Sequence, residues 1–311
     1  MVNTMLSANR AHAADLSEFQ AGNKTRERLQ SHPGNSRLEQ PSGALRISAV
    51  MPVYNESDVI YWSIRALVEQ RIFVHVLDNE STDNTATIAK GFPEGAVKVS
   101  QFYTDGQFNE KLQGEAVGKA FRELEEASDW LIKCDADEFL EAPYEGMSLR
   151  QGIGMVDRQG FNCIGVRSFC FFPMSAERPH VAGEDVRRYY DHFRIWDGVD
   201  RWDPSLHPQA NMLWKINMFK VRSGLFYFDP HRLSPFENIN LFPNLFILRH
   251  YPFRHPALTR CRLVLERRDR MSDWNLANNV SCHYTKYSER DTFLFDDQIA
   301  EMRRWSEFKK L

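Results

Sequence analysis

The stretch WLIKCDADEFL, residues 130–140, places three carboxylates directly after an apolar run. They belong to Asp135, Asp137 and Glu138, and like charges this close together repel one another. A short apolar run bounded by polar residues is typical of a buried β-strand. The end of this predicted strand therefore needs a source of positive charge.

Three more strands, with helices between them, precede this stretch. The apolar runs at 47–53, 72–78 and 96–103 predict the strands, and apolar residues at helical spacing follow residues 60 and 112. Alternating strands and helices predict a mostly parallel sheet with right-handed crossovers. Ligands of such sheets bind at the carboxyl ends of the strands. Polar loops fall at these ends at residues 54–56, 78–83 and 135–138, so we expect them to converge.

Composition sets broad limits on the protein class. The chain has 311 residues and a net charge of −3, which gives no general basic field for nucleic acid. No window approaches the roughly 18 apolar residues of a membrane span, and the start of the chain lacks the pattern of a secretory signal. Five cysteines without C-x-x-C spacing predict reduced thiols. We therefore expect a cytoplasmic protein without a transmembrane segment.

The acidic stretch is typical of a site for a hard divalent cation. Mg²⁺ or Mn²⁺ takes oxygen ligands, and Mg²⁺ is often held by one or two carboxylates together with substrate phosphates. A cation between the carboxylates and a diphosphate would relieve their repulsion. The alternative is an exposed acidic turn that caps the following helix.

Three segments in order resemble the family 2 glycosyltransferases. ISAVMPVYNE (47–56) is similar to the P-x-Y-N-E pattern, VLDNESTDNT (76–85) to D-x-x-S-x-D-x-T, and DAD (135–137) to the D-x-D motif. LRHYPFRHP (248–256) resembles a bacterial subgroup with an H-Y-P-F-R segment. The resemblance implies an α/β fold of the GT-A type. Its central sheet would be Rossmann-like and mostly parallel with helices on both faces, followed by a smaller antiparallel and helical C-terminal part.

The chain divides into three predicted regions. Residues 1–44 are polar and predict a flexible arm, and residues 45–256 would form the GT-A catalytic domain, with a nucleotide-binding half (45–140) and an acceptor half (141–256). Residues 257–311 would be a helical extension. Its end puts Ile299, Met302, Trp305 and Phe308 at helical spacing between basic residues. Such a helix would pack on its own domain or lie peripherally on the inner face of a membrane.

The resemblance implies a role for each motif residue. Pro52, Tyr54 and Glu56 would line the nucleoside pocket, Asp78 would accept a hydrogen bond from the nucleobase, and Asp135 would accept from the ribose. Asp137 would ligate the metal. Asp83 would close the pocket or simply stabilise a helix start. Glu138 would act as a neighbour of the ligands or as the charge before the next element.

A histidine would complete the metal site. His231, His250 and His283 are the candidates, and His250 is preferred because it ends a predicted strand four residues before Arg254. His231 is the next choice, and Asp135 is an alternative carboxylate ligand. Arg254 would pair with the diphosphate, the alternative being a surface ion pair.

The predicted activity is inverting, metal-dependent transfer of one sugar from a nucleotide-sugar donor. Asp78 and the resemblance favour a UDP-sugar, and the acceptor hydroxyl would belong to a glycan or glycoconjugate, with nucleic acid left open. The common E-D pair that supplies the general base is displaced here, so Asp185 in VAGEDVRRYY is the assigned base, with Glu237 as the alternative.

Two rival functions are weighed against this one. A sugar-1-phosphate nucleotidyltransferase needs a glycine-rich loop after the first strand, and MPVYNESD (51–58) has no glycine. A catalytically inert nucleotide-sugar-binding protein would keep the donor site without a base, and turnover of the donor would distinguish it from an enzyme.

Overall fold

Four neighbouring parallel strands form the predicted core of the sheet. The computed structural model describes residues 45–196, 215–229 and 232–310. The strands are β1 (Ile47–Val53), β2 (Phe73–Asp78), β3 (Val97–Gln101) and β4 (Trp130–Lys133), in the order β3-β2-β1-β4. The register sets Val53 opposite Asp78, so the carboxyl ends of β1 and β2 coincide. The parallel sheet therefore brings the predicted loops to one edge.

Helices cover both faces of these strands. The helices are α1 (Ile60–Val68), α2 (Thr85–Lys90), α3 (Glu110–Leu124) and α4 (Leu149–Arg158). Alternate residues of a strand point to opposite faces. Accordingly Ala49 and Met51 pack with α1, α2 and α4, whereas Val50 packs with α3 on the other face. Because both faces are covered, β1 is buried along its whole length.

The second half of the sheet is mainly antiparallel. β5 (Glu138–Glu141), β6 (Cys163–Phe171), β7 (His192–Trp196) and β8 (Lys215–Lys220) follow in the chain, and β8 joins β4 to β6. β9 (Phe226–Asp229) and β10 (Arg232–Ser234) pair separately. β11 (Phe246–His250) lies parallel to β6 and antiparallel to β5. The register places His250 opposite Glu138, which brings the end of β11 to the acidic stretch.

The C-terminal part contains short elements. α5 (Pro256–Arg260) runs into a π-helix (Cys261–Arg268), and α6 (Asp273–Ala277) and β12 (Arg303–Arg304) come later. The predicted helix over residues 290–311 is wrong, because Asp296–Glu301 and Trp305–Glu307 form 3₁₀ turns around β12.

The aromatic residues at the end of the chain pack on the sheet. Trp305 and Phe308 stack at 4.8 Å between ring centroids, and both contact Phe169 and Phe193. Trp305 and Phe308 therefore face the sheet, whereas Ile299 is 47% exposed, and contact with a membrane stays a prediction. None of the helices within the described ranges has the length and apolar character needed to cross a membrane.

Candidate active site

Asn55 ties the loop after β1 to the loop after β2. Its side-chain oxygen accepts from the backbone N–H groups of Thr82 at 2.8 Å and Asp83 at 3.3 Å. Its side-chain nitrogen donates to Glu266 Oε1 at 2.7 Å. The residue adopts a φ of +52°, a left-handed conformation that asparagine tolerates better than most residues. The asparagine of the P-x-Y-N-E motif thus fixes three segments relative to one another.

The predicted nucleoside-binding residues of β1 differ in their access to solvent. Pro52 is buried within the strand, whereas Tyr54 is only half-buried. The Arg270 guanidinium carbon lies 3.7 Å from the centre of the Tyr54 ring. Glu56 is 6% exposed and bound to arginines, as described below. Tyr54 is therefore the residue of this group best placed to meet a planar ligand.

Asp78 is a buried carboxylate that is only weakly hydrogen-bonded within the described residues. The residue is 1% exposed, and its hydrogen bond from a described group is a long one, 3.4 Å from the Ser81 backbone N–H. Buried carboxylates are normally well hydrogen-bonded. A ring N–H of a nucleobase would satisfy this acceptor, which favours the predicted role.

Asp83 stabilises its own loop. One carboxylate oxygen accepts from the Thr85 backbone N–H at 2.9 Å and from the Thr85 hydroxyl at 2.5 Å. The other accepts from the Ser57 backbone N–H at 3.1 Å. These contacts match the helix-start alternative, and the contact of Asp83 with the nucleoside stays a prediction.

The three carboxylates of the acidic stretch are each neutralised by a cation of the protein itself. Lys133 Nζ lies 2.8 and 2.9 Å from the two oxygens of Asp135. Lys215 Nζ lies 2.8 Å from Glu138 Oε1, and Asp137 faces two arginines. Lys133 is 3% exposed, and a lysine this buried must be paired. Protein cations therefore supply the positive charge that the sequence requires at this strand end.

The two oxygens of Asp137 have different surroundings. Oδ2 accepts from Arg254 Nη1 at 3.4 Å and from Arg262 Nη2 at 3.3 Å. Oδ1 lies 3.7 Å from His250 Nε2. Burial alone would raise the pKa of the Asp137 carboxyl, but His250, Arg262 and Arg254 hold the pKa well below its usual value. Asp137 is therefore an anion with one oxygen fixed and the other directed toward His250.

His250 is positioned from both sides of its ring. Nδ1 lies 3.6 Å from Cys170 Sγ and Nε2 faces Asp137. Burial lowers the pKa of His250, but Asp137 and Cys170 outweigh this and raise it to about 9. A metal at Nε2 would therefore have to displace a proton.

The pair formed by Asp137 and His250 fits a divalent cation as two of its ligands. Their 3.7 Å separation is too long for a hydrogen bond. Two ligands that each lie about 2.1 Å from one ion are up to roughly 4 Å apart, so a cation between these atoms could contact both. No group of three His, Cys, Asp or Glu side chains in the described ranges is arranged to hold a metal. The remaining ligands would have to come from water or substrate, as Mg²⁺ commonly requires.

Arg254 is fully enclosed by carboxylates. It is 0% exposed and lies 2.7 Å from Glu56 Oε2, 2.6 Å from Asp58 Oδ2 and 3.4 Å from Asp137 Oδ2. The alternative of a surface ion pair is thus wrong, because the pairs are buried. The predicted contact of Arg254 with a diphosphate stays a prediction, and these partners leave little of the guanidinium for it.

Comparison with known proteins identifies the domain. The family described as "Glycosyl transferase family 2" matches residues 48–190, a range that contains all three motifs. Residues 48–190 are therefore similar to that family. The match agrees with the position of the three motifs at the carboxyl edge of the parallel strands. No curated protein was found to match the chain.

Solved structures give partial matches to the chain. A mannosyltransferase from Pyrobaculum calidifontis in complex with GDP-Man and Mn²⁺ is 18% identical, over 52% of this chain and 45% of that one, with a TM-score of 0.31. Glucosyl-3-phosphoglycerate synthase from Mycobacterium tuberculosis in complex with Mg²⁺ and uridine diphosphate is 20% identical, over 42% and 44%, with a TM-score of 0.28. The chain spans about half the length of these structures.

Asp185, the predicted catalytic base, makes structural contacts. Arg187 binds it through Nε at 2.9 Å and Nη2 at 2.8 Å, and its side chain caps the 3₁₀ turn Val186–Arg188. Burial raises the pKa of Asp185, but the bonds to Arg187 outweigh this and lower it. A carboxylate held in this way is a weak base, and its catalytic role stays a prediction. Glu237, the alternative, is exposed.

The other candidate histidines lie elsewhere. His231 is outside the described residues. His283 is exposed, and its ring contacts that of Tyr284 in a tilted arrangement, 4.1 Å between centroids. His250 is therefore the candidate that the described structure brings to Asp137.

The cations of the site were not predicted from the sequence. Lys133 stands two residues before Asp135, and a lysine inside an apolar strand was a usable signal of a buried ion pair. Arg262, in TRCRLVLERRDR (259–270), gave no such signal, because arginines at this spacing are typical of a surface helix. It is in fact 3% exposed and lies 2.6 Å from Glu56 Oε1.

Proposed function

We propose that the protein transfers one sugar from a nucleotide-sugar donor to a hydroxyl group of a glycan or glycoconjugate, with inversion at the anomeric carbon. The observation that carries the proposal is the pair formed by Asp137 Oδ1 and His250 Nε2, 3.7 Å apart at the carboxyl edge of the parallel strands. Together with the family 2 domain, this pair favours transfer from a donor whose diphosphate is bound through Mn²⁺ or Mg²⁺.

The protein residues would bind the donor and balance its charge. Asp78 accepts from the nucleobase, which favours uracil with its ring N–H, and Asp135 accepts from the ribose. Asp137 and His250 hold the cation. When bound, the cation supplies a Lewis acid that stabilises the negative charge on the departing diphosphate.

Arg267 is the arginine best placed for the diphosphate. It contacts the Tyr284 hydroxyl and stacks over the rings of Phe108 and Tyr284. Asp137 and Glu56 interact with Arg267 electrostatically, but among the described residues no salt bridge joins Arg267 to a carboxylate. A guanidinium without a carboxylate partner can donate to phosphate oxygens.

Calorimetry with uridine diphosphate tests the donor site. We expect binding that depends on Mn²⁺ in the wild type, and loss of the Mn²⁺-dependent part in Asp137→Asn, because the amide removes the anionic ligand. Asp297→Asn, at an exposed position, is the matched control and should bind like the wild type. Equal Mn²⁺-dependent binding by Asp137→Asn would contradict the ligand assignment.

A catalytically inert nucleotide-sugar binder is the second candidate. The ion pair that holds Asp185 favours it, because the assigned base is already engaged. Release of uridine diphosphate from UDP-glucose and related donors with water as acceptor distinguishes the two. Turnover that requires Mn²⁺ supports the enzyme, whereas tight binding without any release supports the inert protein.

A further inference from the structure

Arg262 joins the C-terminal segment to two loops of the glycosyltransferase domain. Its Nη2 atom lies 2.6 Å from Glu56 Oε1, after β1, and 3.3 Å from Asp137 Oδ2, after β4. Its Nη1 atom donates to the Pro252 carbonyl at 3.3 Å. The residue lies in the π-helix Cys261–Arg268, a rare conformation that occurs often at functional sites. A single nitrogen therefore couples two motif carboxylates.

The contact from Arg262 restrains the rotation of the Asp137 carboxylate. Arg254 also reaches Oδ2, but at 3.4 Å and while bound to Glu56 and Asp58. With both arginines on Oδ2, Oδ1 is directed at His250. Groups that orient a metal ligand from behind contribute substantially to metal affinity.

We propose that Arg262 is a positioning residue that orients Asp137 for the divalent cation of the donor site. The inference rests on the proposed function, since it assumes that Asp137 binds the metal. It does not assign Arg262 any contact with the metal or the substrate.

Charge and geometry predict opposite effects at this position. Arg262 is a cation 3.3 Å from Asp137, and removing a positive charge should by itself strengthen cation binding. Loss of orientation should weaken it. Lysine retains the charge, but its side chain is one bond shorter and lacks the second terminal nitrogen that contacts Pro252.

The experiment measures Mn²⁺ affinity in the presence of uridine diphosphate, from the electron paramagnetic resonance signal of free Mn²⁺. The variants are Arg262→Lys and Arg262→Met, with Arg268→Lys and Arg268→Met as matched controls on the same helix. Arg268 pairs with Asp269 away from the acidic stretch. We expect an increase of about tenfold or more in Kd for both Arg262 variants and none for the controls.

Each result has a distinct meaning. Unchanged Kd in folded Arg262→Lys, or tighter binding by Arg262→Met, would overturn the positioning role while leaving the proposed function intact. A lower melting temperature with wild-type Kd would show a purely structural role. If Arg262→Met does not fold, Arg262→Lys decides alone. Lack of Mn²⁺ binding by the wild type would overturn the metal site itself and the positioning role with it.

Discussion

At the scale of single residues, burial determines how the ionisable groups behave. His75 in β2 is 2% exposed, and its Nε2 pairs with Ser100 Oγ at 2.9 Å. Burial, with a smaller contribution from Lys98, lowers the pKa of His75 to about 4 from an ordinary 6.5. The folded protein therefore keeps this ring neutral at pH values where the unfolded chain takes up a proton.

The free energy of unfolding should decrease as the pH is lowered, because His75 has a depressed pKa in the folded protein. Between pH 6.5 and 4 the unfolded chain binds the proton and the folded one does not, so acid favours unfolding. We expect the wild type to lose about 1–2 kcal/mol more unfolding free energy than His75→Gln between pH 7 and 5, measured by urea denaturation. Glutamine stays neutral throughout, so equal losses in the two proteins would contradict the assignment.

The site residues differ in how far the sequence reveals them. The positions of Asp78, Asp135 and Asp137 in the site can be predicted from the sequence, because each comes at the end of a contiguous apolar run that indicates a strand. The partners of the other site carboxylates are harder to predict: Lys215 is separated from Glu138 by 77 positions and Arg262 from Glu56 by 206. No periodic sequence pattern predicts which cation pairs with which carboxylate across such separations.

At the scale of elements, close packing fixes α4 against the sheet. The helix begins with a capping box in which Ser148 and Gln151 bond each other's backbone N–H groups. A Cβ atom at Gly152 would lie 2.9 Å from two ring atoms of Phe246 in β11. At Gly154 the nearest atom would be Arg158 Nη1 at 3.5 Å, an ordinary contact.

The two glycines should respond oppositely to alanine. Gly154→Ala should raise the unfolding free energy by about 0.5–1 kcal/mol, because alanine favours the helix. Gly152→Ala gains the same propensity but overpacks against Phe246 and Ala142, a cost of about 1–3 kcal/mol. Urea denaturation of both variants measures the difference. A stabilised Gly152→Ala would show that α4 can move away from β11.

The C-terminal elements were the least predictable. Apolar spacing at residues 299–308 predicts a helix, yet Arg303 and Arg304 pair with β7 and Trp305 packs on Phe169. Pairing with the edge strand β7 and burial of the aromatic rings stabilise this segment more than its weak helix propensity would.

At the scale of the whole molecule, buried ion pairs join the segment after β11 to the parallel sheet. Arg254, after β11, contacts Glu56 and Asp58 after β1 and Asp137 after β4. Removing one partner of a buried ionic group leaves uncompensated charge and is strongly destabilising.

Arg254→Met should therefore destabilise the protein by about 3–5 kcal/mol. Arg65→Met breaks the exposed pair with Glu69 and should cost only about 0.5 kcal/mol or less, which makes it the control. Thermal and urea unfolding compare the two. A small effect of Arg254→Met would show that the carboxylates around it are neutralised in another way.

The sequence by itself determined the four strands of a mostly parallel core and the placement of the three motifs at its carboxyl edge, because strand periodicity and turn chemistry act between neighbouring residues. Only the tertiary structure decided which charges meet there. The partners of Glu56, Asp137 and Glu138 come from segments far along the chain, and their pairing depends on how the second half of the sheet and the π-helix pack. Burial then makes those pairings strong enough to set the charge of the site.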